Sequence, residues 1–105
     1  MSRLNQLQQL FESDPADAEL PYMIAHEYAK LGEHETAIEW FDRCTAIDPN
    51  HLYCYFHKAR SLESLNRIDD ARDTLQSGLQ RAIAASDAKA SGEIEGYLSQ
   101  LGDLD

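Results

Sequence analysis

The stretch YAKLGEHETAIEWFDRCTAIDP, from Tyr28 to Pro49, decides the fold. Upstream of Gly32 the apolar residues Ile24, Ala25, Tyr28, Ala29 and Leu31 recur at spacings of three and four, which predicts a helix with one apolar face. Gly32 is free to take the left-handed backbone that closes such a helix. His34 or Glu35 then reopens the period, and Ala37, Ile38, Phe41, Cys44, Ala46 and Ile47 carry a second apolar face. Two helices joined by so short a turn fold back on each other. Ala25 and Ala37 are small where the pair crosses, so the backbones approach while Tyr28 and Phe41 fill the flanks. Asp48-Pro49 stops the second helix, because the residue before a proline is driven away from helical angles.

The pattern recurs along the chain. Asp14-Pro15 stands 34 residues before Asp48-Pro49, and the same step takes Ala25 to Ala59, Leu31 to Leu65, Ala37 to Ala71 and Phe41 to Leu75. It also takes Tyr22 to Phe56 and Gly32 to Asn66, and Asn follows Gly in its tolerance of the left-handed turn. On these residues the chain resembles the tetratricopeptide repeat family, whose period is 34. The resemblance implies an all-α fold of antiparallel helix-turn-helix repeats, a right-handed α-solenoid of about two full repeats. The second repeat departs from the pattern at Lys58, which matches Ile24 where the family usually has Leu, and at Gly78, where a small Ala is usual. Ala82-Ile83 replaces its closing Asp-Pro, so its last helix is expected to run on to about Ala85.

At 105 residues the chain fits one domain. The expected division is 1–17 as an N-terminal half-repeat cap, 18–51 and 52–85 as repeats, and 86–105 as a C-terminal cap helix. Leu4, Leu7, Leu10 and Phe11 give the half-repeat one apolar face that covers the first full repeat. Asp17 is the expected N-cap of the helix that follows, and Ser86-Asp87 the break before the last one. In the second repeat Ala71, Leu75, Gly78, Leu79, Ala82 and Ile83 are expected to be buried. Helices are predicted over 3–13, 18–31, 35–47, 51–65, 69–85 and 87–101, with no strand, and Gly102 to Asp105 are expected to fray.

The formal charge of −10, from 19 acidic and 9 basic residues, repels phosphate backbones and anionic lipid, so neither nucleic acid nor membrane is expected as a partner. No apolar run resembles a signal peptide or a membrane span, which points to a cytoplasmic protein. His26, His34, His51, His57, Cys44 and Cys54 contain no closely spaced Cys or His pair of the structural zinc kind, so no metal is expected. Cys44 and Cys54 read instead as small buried hydrophobes, near each other where adjacent repeats stack. No phosphate loop, nucleophile elbow or His-Glu-x-x-His pattern occurs, and no catalytic residue or cofactor is expected.

What remains is a face the core leaves over. Glu19, Tyr22, His26, Ala29 and Lys30 share one side of the leading helix, and one repeat later stand Tyr53, Phe56, Arg60, Glu63 and Ser64. The resemblance implies that this face lines a concave groove holding a peptide or helix of a partner protein. The candidate contacts are Tyr22, His26, Lys30, Tyr53, Phe56, His57 and Arg60. Some family members clamp a terminal carboxylate there with Lys, Asn and Arg, but this chain has Tyr22, His26 and His57 in place of the first Lys and the two Asn. The competing reading of the aromatic residues is packing between neighbouring helices. A homodimer through an exposed Trp40 is the alternative function, against local packing of that ring.

Overall fold

The computed structural model describes residues 2–102. Six helices follow in order: α1 (Arg3–Ser13), α2 (Glu19–Lys30), α3 (His34–Ile47), α4 (Leu52–Ser64), α5 (Ile68–Ala84) and α6 (Ala88–Gly102). The described residues contain no strand. Each helix packs on its chain neighbour, and α4 also meets α6, so the chain stacks into a slab of 42 × 30 × 18 Å. The expected fraying falls partly outside the described residues: Gly102 ends α6, and residues 103–105 are not among them.

The turns show why the helices stop where they do. Gly32 has φ 78° and Asn66 φ 60°, one repeat apart as the offset requires. At the first, Gly32 N donates to Ala29 O and Glu33 N reaches back to Tyr28 O at 2.9 Å; at the second, Asn66 N donates to Glu63 O and Arg67 N to Leu62 O at 2.8 Å. These paired bonds satisfy carbonyls that a helix end otherwise leaves open. Ser86, at φ 56°, closes α5 in the same way with Asp87 N on Ala82 O. Ala18, not the expected Asp17, is the N-cap residue of α2, although Asp17 Oδ1 accepts from Glu19 N at 3.0 Å; before α6, Asp87 Oδ1 accepts from Ala90 N at 3.0 Å.

Two cores result. One joins Ala25, Ala37, Phe41, Cys44 and Cys54 around the first repeat; the other joins Leu52, Ala59, Leu62, Ala71, Leu75 and Ala82 to Ala90, Ile94, Tyr97 and Leu101 of α6. Both departures from the repeat pattern have a local cause. A Cβ on Gly78 would stand 2.7 Å from Tyr55 Cβ, so the Tyr55 stem takes the space an alanine would need. Lys58 lays its stem along the α3–α4 seam and carries its ammonium to Asp42 Oδ1 at 2.7 Å.

Four residues expected on apolar faces lie outside them, the small Ala46 of α3 and three large ones. Leu10, Leu31 and Ile83 are 55%, 68% and 61% exposed. Leu10 fails because α1 packs chiefly on α2, with Phe11 reaching Trp40 of α3, and neither neighbour covers the side of α1 that carries Leu10. Leu31 is the C-cap residue, beyond the last turn that α3 covers. Ile83 stands one residue, roughly 100° of helix, beyond Ala82, past the sector that α4 and α6 enclose. Helix α5 also begins at Ile68 rather than at Asp69 or Asp70, and those two carboxylates fall in its first turn, where the helix dipole favours them.

Candidate functional site

Helices α2 and α4 present one continuous surface, because residues four apart on a helix share a face and the two helices occupy equivalent places in adjacent repeats. On α2, Tyr22 and His26 meet edge to face at 4.6 Å. His26 meets His57 of α4 at 4.4 Å, and His57 meets Phe56 at 5.4 Å. Phe56 in turn lies 5.1 Å from Tyr97 of α6, which donates from Oη to Glu63 Oε1 at 2.6 Å. The rings form an unbroken file across the face, half-buried from Tyr22 to Phe56 and buried at Tyr97. The competing reading of these aromatics, packing between neighbouring helices, is thus observed.

Two clefts open on either side of Arg60. The first, of about 310 Å³, is lined by His26, Lys30, His34, Phe41, His57 and Arg60, with Ala29, Ser61 and Ser64 completing it. No carboxylate is in that lining. Lys30 shares its charge with Glu27 at 3.3 Å, whereas exposed Arg60 makes no ion pair among the described residues. The buried Ser61 hydroxyl shares a hydrogen bond of 3.1 Å with His34 Nδ1, which fixes the floor. The second cleft, of about 460 Å³, runs from Phe56, Arg60 and Glu63 to Gly92, Glu93, Gly96, Tyr97 and Gln100 of α6.

Burial first, and then His26, Arg60 and His51 nearby, lower the His57 pKa to about 4, so its imidazole is neutral at pH 7. Burial lowers His26 as well, with Lys30 and Arg60 adding to it against Glu27. The cationic character of the first cleft thus rests on Lys30 and Arg60 and not on His57. Burial, helped by Cys54 and Glu19, raises Tyr22 to about 12, and burial with the Glu63 bond raises Tyr97.

Of the residues singled out from sequence, His26, Lys30, His57 and Arg60 share the first cleft, and Phe56 and Arg60 share the second. Tyr22 lies at the end of the ring file, over His51 at 4.4 Å. Tyr53 turns toward α6, its Oη 3.5 Å from Glu93 Oε1. Glu19 bonds His51 Nε2 instead of entering a cleft. Sequence reading missed His34 and Ser61, and the whole contribution of α6, because that helix departs from the repeat and no offset points to it. Trp40 packs within the chain, edge to face with Phe11 at 5.7 Å and under the Arg43 guanidinium at 4.3 Å.

A second cluster lies under Tyr22. Cys44 of α3, Cys54 of α4 and His51 at the α4 N-cap bring one donor atom each to within 4.8 Å of one another. Both thiols are fully buried, and the His51 side chain is 13% exposed. The hydrogen bond with Cys44, and burial after it, push the Cys54 thiol far above its usual range, so it is protonated. The expected nearness of the two cysteines is observed, and His51 joins them. A signal for it existed: His51 and Cys54 have two residues between them, a ligand spacing that mixes residue types.

A stack of helical hairpins with left-handed turns one repeat apart is a tetratricopeptide-repeat fold. Residues 5–78 match the family described as "Anaphase-promoting complex, cyclosome, subunit 3", and the chain belongs to that family of repeat proteins. An uncharacterized protein of Methanocaldococcus jannaschii is 32% identical over 62 residues, which span 59% of this chain and 72% of that protein. Among solved structures, a tetratricopeptide repeat domain protein from Salinibacter ruber is similar at TM-score 0.81 and 28% identity, over 88% of this chain and 93% of that one. The TPR2B domain of yeast Sti1, in a complex with pHsp70, is similar at TM-score 0.89 over 97% of this chain and 82% of that one; at 20% identity the likeness is one of fold.

Proposed function

We propose that this chain is a non-catalytic scaffold whose α2–α4 face binds a segment of another protein carrying an apolar anchor beside a carboxylate. The observation that carries the reading is a cleft lined by Lys30 and Arg60, without a carboxylate, in a chain of net charge −10. In such a molecule nearly every surface repels an acidic peptide, and this one attracts it. Arg60 supplies forked donors to a carboxylate, and the half-buried ring of Phe56 beside it, backed by the buried Tyr97, receives the anchor. The Sti1 domain, with the same fold, is known in a complex with pHsp70, which supports peptide capture as a use of this architecture. Its ligand is not carried over, because Tyr22, His26 and His57 replace the family's clamp residues. Self-association through Trp40 lacks its anchor, since that ring is engaged by Phe11 and Arg43.

Selection of a random displayed peptide library against the purified chain tests this. Selected peptides are expected to pair Leu, Ile or Phe with Asp or Glu and to bind in the micromolar range, ~8 kcal/mol, as a two-repeat groove permits. Arg60→Glu, at an exposed position, is expected to weaken them at least ~10-fold, about 1.4 kcal/mol, with helicity unchanged. Selected peptides without acidic residues, or equal binding by Arg60→Glu, would overturn the reading.

A further inference from the structure

We infer that Cys44, His51 and Cys54 form a binding site for a thiophilic d10 cation, Zn²⁺ above all, that staples the first repeat to the second. One sulfur comes from α3, the other from α4, and the imidazole from the residue that caps α4. The three donor atoms already lie within 4.8 Å of one another. Zinc bonds of about 2.0–2.3 Å bring such donors to about 3.3–3.8 Å apart, so the shift needed is on the order of one ångström and lies within side-chain torsion. Two thiolates and an imidazole are a recognised zinc donor set, and the sulfurs exclude hard cations such as Mg²⁺ and Ca²⁺.

The surroundings fit a ligated imidazole. His51 Nε2 is bonded to the Glu19 carboxylate, so the lone pair left for a metal is on Nδ1. A carboxylate on the far nitrogen is the usual support of a metal-bound histidine, fixing its tautomer and raising its basicity. The Tyr22 ring lies over His51 and shields the cluster from the groove side. His51, the only one of the three not fully buried, gives the entry path. As the ion enters, the S–H bonds of Cys44 and Cys54 break and their two protons leave to solvent, so the ion exchanges two protons for two metal–sulfur bonds. Helices α2, α3 and α4 are then tied through one centre, α2 by way of Glu19.

Titration of the reduced full-length chain with Co²⁺, followed by displacement with Zn²⁺, tests the site. The expected result is a thiolate-to-cobalt charge-transfer band at one equivalent, bleached by Zn²⁺, and a melting temperature raised by Zn²⁺. Cys54→Ala and His51→Ala are each expected to remove the band, and Glu19→Gln to weaken zinc about 10- to 100-fold. The wild-type spectrum decides the matter even where a cysteine variant fails to fold. Three results overturn the proposal: no charge-transfer band in the wild type, which includes cobalt held only by His26 and His57; a band that survives His51→Ala; or thiols that close to a disulfide in air while added metal leaves the melting temperature unchanged.

Discussion

His57 is held neutral by its surroundings, and that gives the folded state a dependence on pH. Its pKa is lowered from 6.5 to about 4 by burial first, with His26, Arg60 and His51 adding to it. Between those values the unfolded chain binds a proton that the folded chain does not, so stability rises with pH across this window and is lost as pH falls through it. The melting temperature is therefore expected to drop between pH 7 and pH ~4.5, and His57→Phe, which keeps the near-parallel ring stack on Phe41, is expected to drop less. Burial lowers His26 too, so the variant keeps part of the slope. Equal drops in the two proteins would show that His57 is not the group responsible. Sequence offset could not pair these rings: His57 is equivalent to Met23, and its approach to His26 depends on the angle between repeats, which no spacing encodes.

At the scale of the helix, two glycines behave in opposite ways. Gly78 faces Tyr55, where a new Cβ would meet Cβ at 2.7 Å and Cγ at 3.0 Å. Both are close to the backbone and cannot swing aside. Gly78→Ala is expected to lose about 1–3 kcal/mol to overpacking, more than the ~1 kcal/mol that alanine gains over glycine inside a helix. Gly96, in α6, has nothing within 4 Å, so Gly96→Ala is expected to gain roughly 0.5–1 kcal/mol. Urea melts of the two variants check this, and a stabilised Gly78→Ala would mean that α5 does not press on α4 at that point. The helices themselves were legible because Gly32, Asn66 and Asp48-Pro49 punctuate an unbroken period of apolar residues. Leu10, Leu31 and Ile83 were not: periodicity tells which way a residue points, while burial depends on whether a neighbour extends far enough to cover it.

In the whole molecule, α6 closes the stack by burying Ala90, Ile94, Tyr97 and Leu101 against the second repeat. Ile94 and Leu101 represent about 1.5–3 kcal/mol each, a large share of a domain stability of ~5–15 kcal/mol. A chain ended after Asp87 is expected to melt more than ~10 °C lower and to bind an apolar dye, as an uncapped repeat array does. Unchanged melting would show that the two repeats hold without it. Position and length of α6 could be read from Ala90, Ile94, Tyr97, Leu98 and Leu101, but its share of the second cleft could not, since Gly92 and Gly96 act there by leaving space. The order of stacking also sets a tempo. Helices touch mainly the helix before and the helix after, and α4 on α6 is the longest step of substance. Nucleation anywhere along such a chain joins segments that are already close in sequence, so little loop entropy opposes each closure. Helical proteins with contacts this local fold within microseconds to milliseconds, which leaves apolar faces such as that of α3 exposed only briefly after synthesis.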